Sequence, residues 1–298
     1  MMAKEKNCTL LDGGLGRELK RIGAPFQQPE WSALALMQAP EKVLEVHQSF
    51  IAAGAQVITT NNYAVVPFHI GEQRFLEQGS TLTELAGKLA REAAGETIRV
   101  GGCLPPLSGS YRPDLFDSEL ASTAYPMIVK ALEPYVDIWQ AETISSLDEA
   151  RAVARALDGS DKPLWLSFTL MDDLDLAQPC LRSGESLSAA LDVALEVHAS
   201  ALLFNCSLPE IISRAMTELG PLRDARAPDL EIGGYGNTFT PRKSDAEANG
   251  VFADMRSEVS PSHYADIVAD WKSHGATIVG GCCGIGPDHI AALASDIS

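Results

Sequence analysis

The sequence lacks long hydrophobic runs and an excess of basic residues. None of its apolar stretches approaches the roughly 18 uninterrupted residues of a membrane-spanning helix. It has 23 Lys and Arg against 40 Asp and Glu, a formal net charge of −17. This balance argues against general nucleic-acid binding, which requires a basic surface. Residues 1–7 carry two lysines with no apolar run behind them, so we expect no secretory signal and predict a cytoplasmic location.

Cysteine is also scarce, with six in 298 residues. In a chain of this length without a secretory signal, they do not resemble a disulfide framework. Clustered cysteines in a cytosolic protein more often bind a metal or take part in catalysis. The rest of the composition, 46% hydrophobic and 21% charged, is that of an ordinary globular protein.

Eight short apolar segments alternate along the chain with longer stretches of helical spacing. In Pro40–Ala53, for example, Val43, Val46 and Phe50 fall on one helix face. Nearly continuous apolar strands that alternate with amphipathic helices indicate parallel strands covered by helices. The eight predicted strands are Cys8–Gly14, Gln56–Tyr63, Ile98–Pro105, Val136–Thr143, Pro163–Leu170, Ala201–Ser207, Glu231–Asn237 and Ala276–Gly284.

Eight such units in about 300 residues predict an α/β protein, a (β/α)8 TIM barrel, with one domain over residues 1–298. An open doubly wound sheet is the alternative, although no Gly-rich dinucleotide fingerprint follows an early strand. Two connections are long, Gly14–Pro40 after the first strand and Thr238–Pro261 after the seventh. Both would lie at the C-terminal face of a barrel, where active sites are found.

Three cysteines end predicted strands. Cys206 ends the sixth strand, and Cys282 and Cys283 end the eighth in a Gly-rich turn. Three thiolates from two strands could form a zinc site with an open fourth position, provided that the eighth strand breaks at its glycines. Free cysteine is also a common small core residue, and a vicinal disulfide is conceivable, so spacing alone leaves these alternatives open.

Other polar and aromatic residues share the strand-end position. Asp12 precedes two glycines at the end of the first strand, either as a turn cap or as a carboxylate for a substrate ammonium. Glu142 ends the otherwise apolar fourth strand, where an unpaired carboxylate would be costly, so a functional role is favoured. Asn205 precedes Cys206 and is weak evidence by itself. Trp31 and Tyr63 could hold a cation over their rings or simply pack.

Taken together, these residues resemble the zinc-dependent homocysteine S-methyltransferases, which include enzymes that use betaine or S-methylmethionine. The resemblance runs from Leu11 to about Ala292. It is carried by segments at the strand ends and in the first loop: Leu11–Gly14 (LDGG), Trp31, Thr59–Tyr63 (TTNNY), Glu142–Thr143, Asn205–Cys206 and Gly280–Cys283 (GGCC).

The resemblance implies a barrel with Zn2+ held by Cys206, Cys282 and Cys283 and with the homocysteine thiol at the fourth position. It further implies binding roles for the remaining strand-end and loop residues. The amino-acid end would be held by Asp12, Gly13, Gly14 and Glu142, with Asn205 also binding substrate. Trp31 and Tyr63 resemble by position the residues that face the onium methyl donor in the betaine branch of the family.

Neither Asp172–Gly184 nor the loop Thr240–Ser260 matches a donor-specific pattern. We therefore expect homocysteine and a small onium donor as partners, with S-methylmethionine or S-adenosylmethionine ahead of betaine or dimethylsulfoniopropionate. No nucleic-acid or membrane partner is expected, and the oligomeric state is open. Two other functions compete: a thiol-dependent lyase or hydrolase on the same barrel, and a non-catalytic protein with structural zinc, which would need four protein ligands.

Overall fold

The computed structural model of the protein describes residues 8–241 and 254–297, with the side chain of residue 297 left aside. It confirms the (β/α)8 barrel. Eight parallel strands are ordered β1-β8-β7-β6-β5-β4-β3-β2. The strands are β1 Thr9–Leu10, β2 Val57–Thr59, β3 Arg99–Leu104, β4 Ile138–Ile144, β5 Leu164–Phe168, β6 Ala201–Asn205, β7 Glu231–Gly236 and β8 Ile278–Gly281.

The sheet closes between β1 and β2 through a short seam. A parallel bridge joins Leu11 to Val57. The amide of Gln56 donates to the carbonyl of Leu10 at 2.8 Å, and the amide of Asp12 donates to the carbonyl of Val57 at 3.0 Å. Because the strands form a closed ring, the open doubly wound sheet is excluded.

Helices surround the ring, and within the described residues none is long and apolar enough to cross a membrane. A 3-10 turn, Pro113–Leu115, follows β3. The α-helices are α1 Leu15–Arg21, α2 Ser32–Gln38, α3 Pro40–Ala52, α4 Pro67–Ile70, α5 Glu72–Ala94, α6 Ser118–Leu132, α7 Leu147–Ala156, α8 Leu187–Glu196, α9 Pro209–Arg226, α10 Pro261–Ser273 and α11 Pro287–Ile297.

Two apolar regions stabilise the barrel. The larger lies between strands and helices, where the face of α3 with Val43, Val46 and Phe50 is fully buried as its spacing predicts. The smaller fills the barrel interior with side chains such as Trp165 and Tyr235. The interior of the barrel is therefore a packed core, as is usual for this fold.

The observed strands fall within the predicted segments, except that β4 continues one residue further. The long connection after β1 is present, but it contains α1 and α2. The long connection after β7 begins with Thr238 and Phe239, and its two ends are held together by an antiparallel bridge between Phe239 and Met255. Its middle, residues 242–253, lies outside the described residues.

Candidate functional site

One large cavity opens at the C-terminal ends of the strands. Its empty space, including the part open to solvent, is about 1060 Å³. All ten residues predicted for the site line this one cavity: Asp12, Gly13, Gly14, Trp31, Tyr63, Glu142, Asn205, Cys206, Cys282 and Cys283.

The three predicted metal ligands form a cluster. The sulfur atoms of Cys206, Cys282 and Cys283 all lie within 4.8 Å of one another. Strand β8 ends at Gly281, so the two adjacent cysteines are free of the strand alternation that would point them apart. Cys206 adopts a φ of 49°, in the left-handed region, directly after β6. Such backbone strain is typical of functional sites.

The donor set fits Zn2+. Thiolates are preferred zinc ligands at ~2.3 Å, and a small contraction of this cluster brings three sulfurs to that distance from one ion. The three thiols face the cavity, which leaves a fourth position for a ligand. Within 8–241 and 254–297 the cluster contains three Cys, His, Asp or Glu ligands, not the four of a closed structural site.

Without a metal, the thiols of Cys206 and Cys282 favour their protonated forms, because the pKa of each is raised. The pKa of Cys282 is raised well above its ordinary value by hydrogen bonds with Cys206 and Cys283, and burial raises it further. A divalent cation would reverse this preference, because it stabilises the thiolate.

Two carboxyl groups lie on the same cavity wall. Asp12 is 4% exposed and accepts hydrogen bonds from the Thr59 amide at 2.8 Å and the Thr59 hydroxyl at 3.1 Å. Glu142 is partly buried and accepts a hydrogen bond from the side-chain nitrogen of Gln140 at 3.2 Å. Burial raises the pKa of Asp12 to about 8 and that of Glu142 to about 7. A ligand ammonium beside them would favour their ionised forms.

Glu142 lies within an irregular part of β4. The pairing of β4 with β5 shifts register between Ala141 and Ile144, and Thr143 has a φ of 58°. Asn205 fixes this bulge. Its side-chain oxygen accepts the Thr143 amide at 2.8 Å, and its side-chain nitrogen donates to the Thr143 hydroxyl at 2.9 Å. Bulges commonly redirect a side chain beside an active site.

Gly13 and Gly14 are required by packing. A Cβ at Gly13 would lie 2.3 Å from the Ile285 carbonyl oxygen, and one at Gly14 would lie 2.5 Å from the Cys282 carbonyl oxygen. The first strand end therefore packs directly against the turn that carries the vicinal cysteines. Any larger residue at either position would displace that turn.

The remaining wall comes from loops and is mainly aromatic. Trp31, at a φ of 49°, packs edge-on against Phe26 with ring centroids 5.6 Å apart. The Tyr63 hydroxyl lies 2.6 Å from the Ser110 hydroxyl. The Arg17 guanidinium lies over the Phe239 ring, 5.3 Å from its centroid.

We refer below to two parts of the cavity. The strand-end wall consists of Asp12, Glu142, Cys206, Cys282 and Cys283, and the loop wall consists of Arg17, Phe26, Trp31, Tyr63 and Phe239.

Sequence reasoning missed several residues of this site. Arg17, Phe26 and Phe239 line the cavity, as does Tyr111 from the loop after β3. Arg17 belongs to α1, which begins directly after Gly14 inside a segment that we interpreted as loop. Had we predicted a helix from Leu15, Arg17 would have fallen within one turn of Gly14 and so beside the cavity. The others are aromatic loop residues, which carry no distinctive spacing.

The fold is a (β/α)8 barrel, and its strand ends carry a three-cysteine cluster whose donor set fits a metal. A profile of the homocysteine S-methyltransferases matches residues 9–297. The homocysteine S-methyltransferase of Escherichia coli K12 is 29% identical, over 97% of this chain and 95% of its own length. A selenocysteine Se-methyltransferase of Brassica oleracea is 27% identical, over 95% of this chain and 87% of its own.

A solved structure supports the same relationship. The metallated form of the Escherichia coli homocysteine methyltransferase MmuM superimposes with a TM-score of 0.77 at 26% identity, over 98% of this chain and 97% of that one. The chain belongs to the homocysteine S-methyltransferase family. It is a methyltransferase whose acceptor is homocysteine, and its cysteine cluster fits the family's Zn2+ cofactor.

Proposed function

We propose that the protein catalyses zinc-dependent methyl transfer from an onium donor to the homocysteine thiolate, giving methionine. The observation that carries this proposal is the cluster of three thiols within 4.8 Å, which shares one cavity with two carboxyl groups. The thiols would hold Zn2+, whose charge stabilises a substrate thiol as thiolate at neutral pH. The thiol proton leaves to solvent.

The strand-end wall would bind homocysteine. Asp12 and Glu142 offer two carboxylates for its ammonium group, and the Asn205–Thr143 hydrogen bonds hold Glu142 in place. An amino acid anchored at one end and activated at its sulfur is fixed in orientation. That orientation lowers the entropic cost of reaching the donor methyl.

Methyl transfer needs no general base at the carbon. The sulfur forms the new C–S bond, the methyl–onium bond breaks, and its electron pair stays with a leaving group that departs neutral. The rings of Trp31 and Tyr63 would hold the onium charge, at about 0.5–2 kcal/mol for each contact. We place S-methylmethionine and S-adenosylmethionine first. Their leaving group is a neutral thioether, which leaves more readily than the tertiary amine that betaine releases. Betaine is one alternative, and dimethylsulfoniopropionate, which also releases a thioether, is the other.

Arg17 would bind the donor carboxylate. All four candidate donors carry a carboxylate, and Arg17 is the guanidinium of the loop wall. Removing the charge in Arg17→Gln should raise the KM for the donor about 10–100-fold, the range for a hydrogen bond to a charged group. The KM for homocysteine should stay within about twofold. If only the homocysteine KM rises, Arg17 serves the acceptor and this assignment is wrong.

The deciding experiment is methionine formation by reduced, zinc-loaded protein. Homocysteine is supplied with each of the four donors separately. Methionine with one donor supports the proposal and selects the donor. Zinc-loaded protein that forms no methionine with any of them contradicts it and favours the thiol-dependent lyase or hydrolase, for which loss of homocysteine without a methyl donor is the readout.

A further inference from the structure

Tyr111 contacts a metal ligand directly. Its hydroxyl oxygen lies 2.8 Å from the sulfur of Cys206, and the residue is 4% exposed. A phenol can donate a hydrogen bond to a thiolate, whereas the sulfur of a neutral thiol is only a weak acceptor. The contact therefore strengthens when Cys206 is ionised, as it must be to bind a metal.

The loop that carries Tyr111 is held in an unusual conformation. Tyr111 has a φ of 67°, and Gly109, two residues earlier, has a φ of 110°. The intervening Ser110 is fixed by its hydrogen bond to Tyr63. A bulky side chain in the left-handed region persists only where surrounding contacts determine it. Here those contacts direct the phenol at the metal cluster.

The ring of Tyr111 is supported by a buried ion pair. The Arg182 guanidinium lies 5.2 Å from the ring centroid. Arg182 and Asp172 have side chains that are each 1% exposed, with Nη1 3.9 Å from Oδ2. A positive charge over the ring favours donation of the hydroxyl proton to an anionic sulfur. Burying two charges is costly, so the pair requires a reason beyond general stability.

The ion pair also contacts the backbone of the turn that follows Cys206. The second carboxylate oxygen of Asp172 accepts the amide of Leu208 at 3.1 Å, two residues after Cys206. Asp172 thus holds the backbone of the turn, and Tyr111 holds its sulfur. Both Asp172 and Arg182 belong to the segment after β5 that matches no donor pattern. This geometry gives that segment a role at the metal ligand.

We propose that Tyr111 is a positioning residue for the metal ligand Cys206, supported by Arg182 and Asp172. The hydroxyl orients the Cys206 sulfur through its 2.8 Å contact, so that the three sulfurs are held in place for Zn2+ while the fourth position stays available to substrate. The inference rests on the proposed zinc site, but it does not depend on which donor is used. Loss of a hydrogen-bond partner of a metal ligand typically lowers metal affinity about 10–100-fold.

The test compares Tyr111→Phe with Tyr125→Phe. Both substitutions remove a buried phenol oxygen and keep the ring, but the Tyr125 hydroxyl donates to the Pro105 carbonyl at 3.1 Å and not to a cysteine of the metal cluster. Zinc affinity is measured by competition with a chromophoric chelator. Substitution with Co2+ then reports the sulfur-to-metal charge-transfer band. We expect Tyr111→Phe to weaken zinc binding about 10–100-fold and to shift the band, and Tyr125→Phe to leave both within about twofold.

A double variant tests the support of the ring. Arg182→Met with Asp172→Asn removes both charges together, so no uncompensated charge stays buried, and asparagine retains an acceptor for Leu208. We expect the same direction of change as in Tyr111→Phe, with smaller size. The proposal is overturned if Tyr111→Phe binds zinc and displays the cobalt band as the parent protein does. Wild-type protein that binds zinc but forms no methionine would contradict the proposed function and leave this result unaffected.

Discussion

The two walls of the cavity are built in different ways. The strand-end wall comes from β1, β4, β6 and β8 and places thiols and carboxyl groups on a closed ring of backbone hydrogen bonds. The loop wall comes from connections after β1, β2 and β7 and consists of aromatic rings with one guanidinium. The difference matches the roles that we propose, in which the strand ends hold the acceptor and the metal and the loops hold the donor.

Removing a thiol should have the largest effect. Cys283→Ala leaves two ligands, and we expect loss of bound zinc and a fall in methionine formation well beyond the about 100-fold that follows loss of an indirect partner. The matched control is Cys180→Ala, a free, partly exposed thiol in the segment after β5. Metal content, activity and circular dichroism are measured together. Full activity in Cys283→Ala would remove this residue from the metal site.

Glu142→Gln should affect only the acceptor. The substitution keeps the shape and removes the charge, so the KM for homocysteine should rise about 10–100-fold, the range for a hydrogen bond to a charged group. The donor KM should change little if the two walls are separate. Steady-state kinetics with each substrate varied in turn measures both values. An unchanged homocysteine KM would exclude Glu142 from the ammonium site.

The pH dependence of ligand binding sharpens the same comparison. Burial raises the pKa of Glu142 to about 7 and that of Asp12 to about 8, so both carboxyl groups carry protons below that range. An ammonium ligand requires them ionised. Methionine is a suitable probe because it carries the ammonium group but has no thiol. Its affinity, measured by calorimetry, should therefore increase as the pH rises from 6 to 8. In Glu142→Gln the change in methionine affinity near pH 7 should disappear. A methionine affinity that does not change with pH in the parent protein would contradict the assignment.

Trp31→Leu should have the smallest effect and act only on the donor. Replacing the ring keeps apolar volume and removes a cation contact of about 0.5–2 kcal/mol, which corresponds to about a 2–30-fold rise in the donor KM. Homocysteine saturation in the same variant serves as the internal control. A larger effect on homocysteine than on the donor would mean that Trp31 belongs with the strand-end wall.

The strand-end wall was the part that sequence could predict. Cysteine is scarce in this chain, so three at strand ends form a strong signal, and a carboxylate that ends an apolar strand is equally conspicuous. The barrel followed from eight alternating units. Most strand lengths were overestimated because the ladder ends before the apolar pattern does, as at Cys206, whose positive φ follows directly after β6.

The contacts around Tyr111 could not be predicted in the same way. Tyr111 reaches Cys206 because of the path of a loop, and that path depends on packing between residues 95 positions apart in sequence. The pairing of Arg182 with Asp172 beneath the Tyr111 ring is equally non-local. Aromatic and basic residues are common in loops, so neither their type nor their spacing distinguishes these from their neighbours.

The seam of the barrel has a consequence for how mutations of this protein would be interpreted. Asp12 both takes part in the closure between β1 and β2, through its bonds to Val57 and Thr59, and supplies the carboxyl group that we assign to the acceptor. Glu142 lies on a strand paired on both sides. In a deep mutational scan that scores cellular abundance and growth separately, Asp12 variants should lose both scores, whereas Glu142 variants should remain abundant and lose growth alone.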